Sequence, residues 1–462
     1  MLVSTGVSVH VLLHKESPRS AAGWVGLVWL SPGLGLVAYV LLGWNRVQRK
    51  ATRLRAEARP PARHGGAPAD LDDGAGIATL RPLQRAVGRL VGTPLVGGTE
   101  VRLLRGGEEA LPAMLEAIGE AQHSVALMTF IFDGDPWGQR FVDALAAARG
   151  RGVEVRVLVD GVGALFSWPR SALPALRRAG VPFDRFLWSW NPLRMALLNL
   201  RNHRKVLVVD GRVGFTGGMN IRGSFVQEAP GERLAEDDLH VRVDGPLVAS
   251  LLDLFATDWA FETGERLEGE RWYPPLVPAG DLAGRVIPDG PDEDHDKAQT
   301  VLMDAVACAQ QRVVVVTPYF LPEEGLREGL EAAARRGVQV DVVVPWPSNH
   351  PSVDRALRAE LIPLLEAGVR VWGQPRPFDH TKLLVVDGAW SCVGSANWDP
   401  RSLRLNFEML LEVHGPRLAA ELEALAEAKR RRSEPFTVEG LRDLGLATRV
   451  IDRVAWLFKP YL

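Results

Sequence analysis

At 462 residues with 47% hydrophobic content, the chain is longer than one average domain and rich enough in apolar residues to build two. Its 54 basic residues nearly cancel 56 acidic ones, and the resulting charge of -2 provides no global attraction to polyanions, which argues against nucleic acid as a partner. Cys308 and Cys392 are its only cysteines, too few for a disulfide framework and not in a zinc-type spacing, so a reducing compartment is expected.

Residues 21–42 carry no charge, and about 20 such residues match the hydrocarbon thickness of a bilayer. One transmembrane helix is predicted there, with Gly23, Pro32, Gly33 and Gly35 tolerated as they are in membrane spans. A buried globular helix is the competing reading. Lys15 and Arg19 precede the run, whereas Arg46, Arg49, Lys50, Arg53, Arg55 and Arg59 follow it, so the positive-inside bias puts the rest of the chain in the cytoplasm, at the inner membrane. The apolar residues 1–13 are too few to span. With this run, residues 1–45 are read as an N-terminal membrane segment.

Residues 46–95, rich in Arg, Ala, Pro and Gly, read as a basic juxtamembrane linker that favours anionic headgroups. From Val101 onward short β-branched runs alternate with helical patterns, the signature of an α/β fold with mixed, mostly parallel sheets flanked by helices. Strands are predicted at 124–132, 153–160 and 205–209, with helices at 137–149 and 170–179. The same order recurs with strands at 312–320, 338–345 and 381–386 and helices at 323–336 and 353–367.

The recurrence is an internal duplication. Arg151-Gly152-Val153 matches Arg336-Gly337-Val338 at an offset of 185, and Ala179-Gly180-Val181 matches Ala367-Gly368-Val369 at 188. His203, Lys205, Asp210, Gly217 and Asn220 then match His380, Lys382, Asp387, Gly394 and Asn397, all at 177. Two pseudo-symmetric halves follow, residues 96–262 and 284–425, joined by a linker at 263–283 and followed by an amphipathic tail at 426–462. The fall in offset means that the first half carries eleven extra residues before its histidine, an apolar stretch containing Trp188, Trp190, Met195 and Leu198. It is read either as a lip toward membrane and acyl chains or as a core connection.

Each half thus contains H-x-K-x4-D-x6-G-[GS]-x-N. Along an extended chain side chains alternate, so His203 and Lys205 share a face, as do His380 and Lys382. Two histidine–lysine pairs related by pseudo-symmetry can place imidazoles on opposite sides of one phosphorus, one to attack in line and one to protonate the leaving group. Lys205 and Lys382 supply fixed charge to the phosphoryl oxygens in place of a metal, so no cofactor and no obligatory metal are expected. Asn220 and Asn397 would add donors, and the small residues Gly217, Gly218, Gly394 and Ser395 would let backbone N–H groups approach the phosphate. Asp210 and Asp387 belong to the candidate catalytic set, but each precedes a glycine between β-type runs, the mark of a hairpin turn. Asp238 and Glu408, at an offset of 170, are candidates to orient the imidazoles, each expected to serve the histidine of the opposite half.

The duplicated His-Lys-Asp motif resembles that of the phospholipase D superfamily, over roughly residues 95–425. Within it, residues 10–15 (His-Val-Leu-Leu-His-Lys), 201–205 (Arg-Asn-His-Arg-Lys), 317–320 (Thr-Pro-Tyr-Phe) and 405–408 (Leu-Asn-Phe-Glu) are most similar to bacterial cardiolipin synthases. The resemblance implies phosphatidylglycerol as the lipid substrate, two molecules yielding cardiolipin and glycerol through a phosphohistidine, with His203 as nucleophile and His380 as acid/base. Such enzymes commonly carry two N-terminal spans. A hydrolase or a transphosphatidylase with another alcohol shares the same intermediate, and the motif does not separate them. A nuclease of the superfamily fits poorly with the neutral charge, and an inactive scaffold has no use for two intact motifs.

Overall fold

The computed structural model describes residues 2–15, 18–39, 80–188, 200–227 and 234–462. Most of the expected linker, the end of the apolar run (residues 40–42) and residues 189–199 of the extra stretch lie outside them. The chain divides into two compact units, residues 1–53 and 54–462.

In the first unit the predicted single span is replaced by separate helices: α1 (Leu2–His14), α2 (Pro18–Leu30) and α3 (Pro32–Ala38). Pro32 lacks an N–H and crowds the preceding turn, Ser31 leaves helical geometry (φ -142°, ψ 76°), and the chain folds back. A side chain at Gly35 would collide with the backbone of Leu27 and Val28, so glycine permits the close return of α3 on α2. Val11, Ala21, Val28 and Tyr39 pack inside this unit, and the Tyr39 hydroxyl lies 2.8 Å from His10 Nδ1. At 13 residues α2 is ~20 Å long, and no described helix is long and apolar enough to cross a membrane. Proline and the Gly35 contact, not the lack of charge, set the helix length.

The second unit begins with α4 (Arg81–Val91), inside the stretch read as linker; Leu83, Val87 and Val91 are buried in the core of the second half. The first half then runs β1 (Val96–Arg105), α5 (Gly106–Glu120), β2 (Ser124–Thr129), α6 (Pro136–Gly150), β3 (Glu154–Asp160), α7 (Gly163–Phe166), α8 (Leu173–Arg178), β4 (Phe183–Phe186), β5 (Arg201–Asn202), β6 (Val206–Val209), β7 (Val213–Gly217), β8 (Leu239–Asp244) and α9 (Val248–Thr263). The second repeats the plan as β9 (Leu282–Asp289), α10 (Lys297–Cys308), β10 (Arg312–Val316), α11 (Glu324–Arg335), β11 (Gln339–Pro345), α12 (Pro351–Glu366), β12 (Arg370–Gln374), β13 (Leu383–Val386), β14 (Trp390–Gly394), α13 (Pro400–Arg404), β15 (Asn406–His414) and α14 (Pro416–Arg431). Then follow β16 (Glu434–Pro435), α15 (Val438–Arg442) and α16 (Leu446–Leu457).

All strands join one sheet. Its order is β1-β8-β7-β6-β2-β3-β4 in the first half and β9-β15-β14-β13-β10-β11-β12 in the second, with β16 beyond β12. The halves meet where β1 pairs with β9. Only β2-β3-β4 and β10-β11-β12 are parallel within the halves; the β2-β6-β7-β8-β1 run and its counterpart are antiparallel. The sheet is therefore mixed but mostly antiparallel, correcting the parallel bias expected from alternating elements. The cause is local: Asp210-Gly211 (φ 52° and 61°) and Asp387-Gly388 (φ 51° and 60°) turn β6 into β7 and β13 into β14 as tight hairpins, whereas helical crossovers supply the parallel pairs. Each half has its own apolar core, built around Phe141, Leu145 and Leu207 in the first and Leu302, Leu326 and Trp390 in the second. In the tail, α16 docks on α12 through a buried carboxylate, Asp452, paired with Arg358 at 2.6 Å, while Leu446, Val450, Ile451, Val454 and Leu457 face outward.

Candidate active site

The H-x-K segments lie just ahead of β6 and β13, so Lys205 and Lys382, which fall within the predicted strands 205–209 and 381–386, stand outside the ladder. Each is pinned by the other half: the His203 amide donates to the Phe407 carbonyl (2.9 Å) and the His380 amide to the Asp237 carbonyl (2.7 Å). The side chains cross as well. Glu408 holds His203 Nδ1 at 3.1 Å, and Asp238 holds His380 Nδ1 at 2.9 Å. With Nδ1 occupied, each ring's Nε2 is left for chemistry.

Both lysines are buried, and their ammonium groups donate to their own motif carbonyls, Lys205 to His203 O and Lys382 to His380 O, each at 2.5 Å. Burial is the largest influence on all four groups. It takes Lys205 down to about 7 and Lys382 to about 8, Glu408 pulling the first up and Asp238 the second. His203 falls to about 4, burial outweighing Glu408, and His380 goes well below the usual histidine value, with Lys382, Lys205 and His203 adding to burial. The crossed contacts set each imidazole, with its buried lysine, against an acid of the opposite half.

The carboxylates differ. Glu408 accepts from Ser402 Oγ (2.5 Å) and Asn406 Nδ2 (3.1 Å). Burial alone would raise it, but His203, by charge and hydrogen bond, together with Lys205 and Ser395, outweighs burial and holds it near 2. Burial dominates at Asp238, which is pushed up to about 8 although Lys382 and the Leu239 amide pull it down. Ionisation is thus favoured at Glu408, beside His203, and protonation at Asp238, beside His380.

Asp210 and Asp387 are not brought to this site. Asp210 accepts from the amides of Gln122 (2.9 Å), His123 (2.6 Å) and Ser124 (2.9 Å). Asp387 accepts from those of Gln310, Gln311 and Arg312, each at 2.8 Å. Each sits at the far end of its strand, ~16 Å of extended chain from its lysine, anchoring a helix-to-strand turn. Their catalytic reading is corrected to a structural one.

The small residues also act otherwise than expected. The Gly218 amide donates to Leu239 O (3.1 Å) and that of Ser395 to Met409 O (3.0 Å), so neither is free for a phosphate. A side chain at Gly217 would collide with His240, one at Gly218 with the Asp238 carboxylate, and one at Gly394 with Met409. Gly217, Gly218 and Gly394 admit the close approach of the segments that carry the acids. Asn220 Oδ1 accepts from the Ile131 amide (3.1 Å), and buried Asn397 leaves its Oδ1 without a partner among the described residues.

Several supporting residues escaped the sequence reading. Arg204 is fully buried and donates to Asp258 of α9 and to the Glu408 and Asp289 carbonyls, all at 2.9 Å, fastening the first motif to the second half. Asn202 reaches Asp258 (2.8 Å), and at the equivalent place Asp379 pairs with buried Lys429 of α14 (2.8 Å), which also binds Asp237. Asn202, Arg204 and Asp379 are signalled only by their position beside the histidines, and Asp258 and Lys429 by nothing local. No group of three or more His, Cys, Asp or Glu among the described residues could hold a metal ion.

The family described as "Cardiolipin synthase, PLD-like domain" matches residues 114–259 and 302–429, the two halves that supply the crossed pairs. The chain belongs to this family. It is similar to cardiolipin synthase A of Pseudomonas aeruginosa (32% identity, 98% of this chain and 93% of the relative) and to that of Serratia proteamaculans (30%, 100% and 96%). Among solved structures, phosphatidylserine synthase of Haemophilus influenzae shares the fold at 15% identity, with a TM-score of 0.61 over 83% of this chain and all of that one. The family's match is interrupted at residues 260–301, the region holding the linker between the halves and β9.

Proposed function

We propose that the chain is a phosphatidyltransferase that condenses two phosphatidylglycerol molecules into cardiolipin and glycerol. The observation that carries this reading is the pair of crossed imidazole–carboxylate contacts, converging with two buried lysines, in a chain of the cardiolipin synthase family.

His203 Nε2 attacks the phosphorus of the first lipid. The bond to the glycerol headgroup breaks as His380 delivers a proton to its oxygen, leaving a phosphatidyl-histidine and free glycerol. The hydroxyl of a second phosphatidylglycerol then returns its proton to His380 and attacks, breaking the P–N bond and freeing His203. The division of labour follows from the carboxylates. The pair with the ionised acid, Glu408, stabilises the ring that becomes cationic, and the pair with the extra proton, Asp238–His380, supplies the acid. Lys205 and Lys382 stabilise the oxygens around phosphorus.

Lipid substrates place the reaction at a membrane, and the charge pattern after residue 45 favours the cytoplasmic face. Leu165, Phe166 and Trp168, all largely exposed, lie beside the site: Phe166 contacts Phe130 (ring centres 6.0 Å), which contacts His203 (5.0 Å). This apolar rim suits a lipid surface. The N-terminal unit also exposes Leu12, Leu13, Leu30 and Leu34.

Incubating purified protein with phosphatidylglycerol vesicles and identifying products by mass tests the reading. Cardiolipin with equimolar glycerol is expected. Phosphatidic acid as the sole lipid product would replace the transferase by a hydrolase.

A further inference from the structure

The two halves carry unlike walls beside their motifs. Their strand ends correspond in hydrogen bonding as well as in sequence: Thr129 Oγ1 donates to Ile131 O (3.0 Å) and Thr317 Oγ1 to Tyr319 O (3.2 Å), and Phe132 bridges Ile221 as Phe320 bridges Trp398. Beside the first motif this wall is apolar. Phe130 lies 5.0 Å from the His203 ring, Ile131 follows it, and the loop after β3 exposes Leu165, Phe166 and Trp168. Beside the second, Pro318 and Tyr319 take the places of Phe130 and Ile131 at the offset of 188, and the loop after β11 carries Ser348, Asn349 and His350.

Tyr319 joins that loop to the second histidine. Its hydroxyl donates to Asn349 Oδ1 (2.8 Å), and its ring lies 5.5 Å from that of His350 and 6.3 Å from that of Phe378, which in turn lies 6.1 Å from the His380 ring. The loop is held in place, the Ser348 amide donating to Asp354 (3.2 Å) and the His350 amide to Ser348 Oγ (3.1 Å). Asn349 and His350 are exposed and Tyr319 is half-buried, so their polar atoms form an accessible wall. A further difference lies beside it. Asn220 Oδ1 accepts from the Ile131 amide, whereas buried Asn397 leaves its Oδ1 without a partner among the described residues, although the Leu321 amide donates to the Trp398 carbonyl (2.8 Å) and keeps the two segments side by side.

In-line displacement decides what each wall meets. With His203 attacking, the bond that breaks points away from it toward His380, so the headgroup leaves, and the acceptor arrives, on the polar side. We infer that Tyr319, Asn349 and His350 form a polyol subsite that recognises the free hydroxyls of a glycerol headgroup, first on the leaving group and then on the acceptor. Hydroxyl, carboxamide and imidazole all donate and accept, as a diol does, and an acceptor lacking those hydroxyls leaves them unpaired. The acceptor's reacting hydroxyl gives its proton to His380, forms the new P–O bond and breaks the P–N bond; the subsite holds the carbon chain that bears it. The assignment rests on the phosphatidyltransferase reading above.

The test is a competition between two soluble alcohols. Wild-type protein, Tyr319→Phe and Asn349→Ala are given phosphatidylglycerol vesicles with equal amounts of deuterated glycerol and n-propanol, and deuterated phosphatidylglycerol and phosphatidylpropanol are quantified by mass. Neither alcohol carries a phosphate, so the ratio reads hydroxyl recognition alone. Wild type should favour glycerol, and each variant should lower the glycerol-to-propanol ratio about fivefold or more, with propanol transfer within a few-fold of wild type. Tyr319→Phe keeps the ring and decides the matter should Asn349→Ala lower the Tm. An unchanged ratio in Tyr319→Phe overturns the subsite. So does an equal loss of both products in a variant whose Tm matches wild type, since that places the residue in support of the reaction itself. Wild-type protein that makes phosphatidic acid alone refutes the transferase reading, and the subsite with it; wild-type transfer to both alcohols without preference leaves that reading standing and removes the subsite.

Discussion

Glu408 of the second half holds Nδ1 of His203 in the first at 3.1 Å, and Ser402 and Asn406 hold Glu408 in turn. Neither half can assemble a working imidazole alone. Glu408→Gln keeps the shape and removes the charge that stabilises a phosphorylated His203. The cardiolipin-forming kcat should fall by about 10²-fold or more, with KM little changed. An unaltered kcat would dissociate Glu408 from the covalent step.

The two histidines should fail differently. His203→Ala removes the nucleophile and should abolish both cardiolipin formation and any labelled enzyme. His380→Asn keeps the nucleophile but slows deprotonation of the acceptor, so the phosphatidyl-enzyme should accumulate and appear as added mass on the intact protein. Labelling of His203→Ala in place of His380→Asn would exchange the two roles.

Much of this site was legible in the sequence because duplication displays its own register: five residues at one offset marked the motif, and Asp238 and Glu408 recurred at another. Asp258 and Lys429 were not legible, since each acts by reaching a segment remote in sequence, and Arg204 showed only by its place beside His203. The same applies to the N-terminus, where hydropathy measured the uncharged run but not the break at Ser31-Pro32. Alternating strands and helices overstated parallel pairing because each Asp-Gly hairpin, legible as a turn, also makes its two strands antiparallel.

Those aspartates give a prediction on stability. Asp210→Ala removes the acceptor of three backbone amides and should destabilise the protein by about 1–3 kcal/mol, with a lower Tm. Enzyme that remains folded at low temperature should keep its kcat within a few-fold. A catalytic role would show the opposite, an intact Tm with lost turnover.

Lys205 links activity to pH. Folding lowers its pKa from an ordinary 10.5 to about 7, so the folded state disfavours the charged form. Below pH 7 the lysine is charged in both states and its burial costs stability in full. As pH rises from about 7 toward 10.5, the folded protein has released this proton while the unfolded chain still binds it, and the cost is progressively relieved. Lys205→Met should therefore be inactive yet more stable than wild type at pH 6–7, with the gap closing toward pH 10 in denaturant unfolding. In wild type, turnover should fall on the alkaline side as Lys205 and Lys382 lose charge, at a pH above 7–8 because a bound phosphodiester favours the ammonium forms. A methionine variant less stable than wild type throughout would mean that Lys205 is held by native interactions stronger than its desolvation.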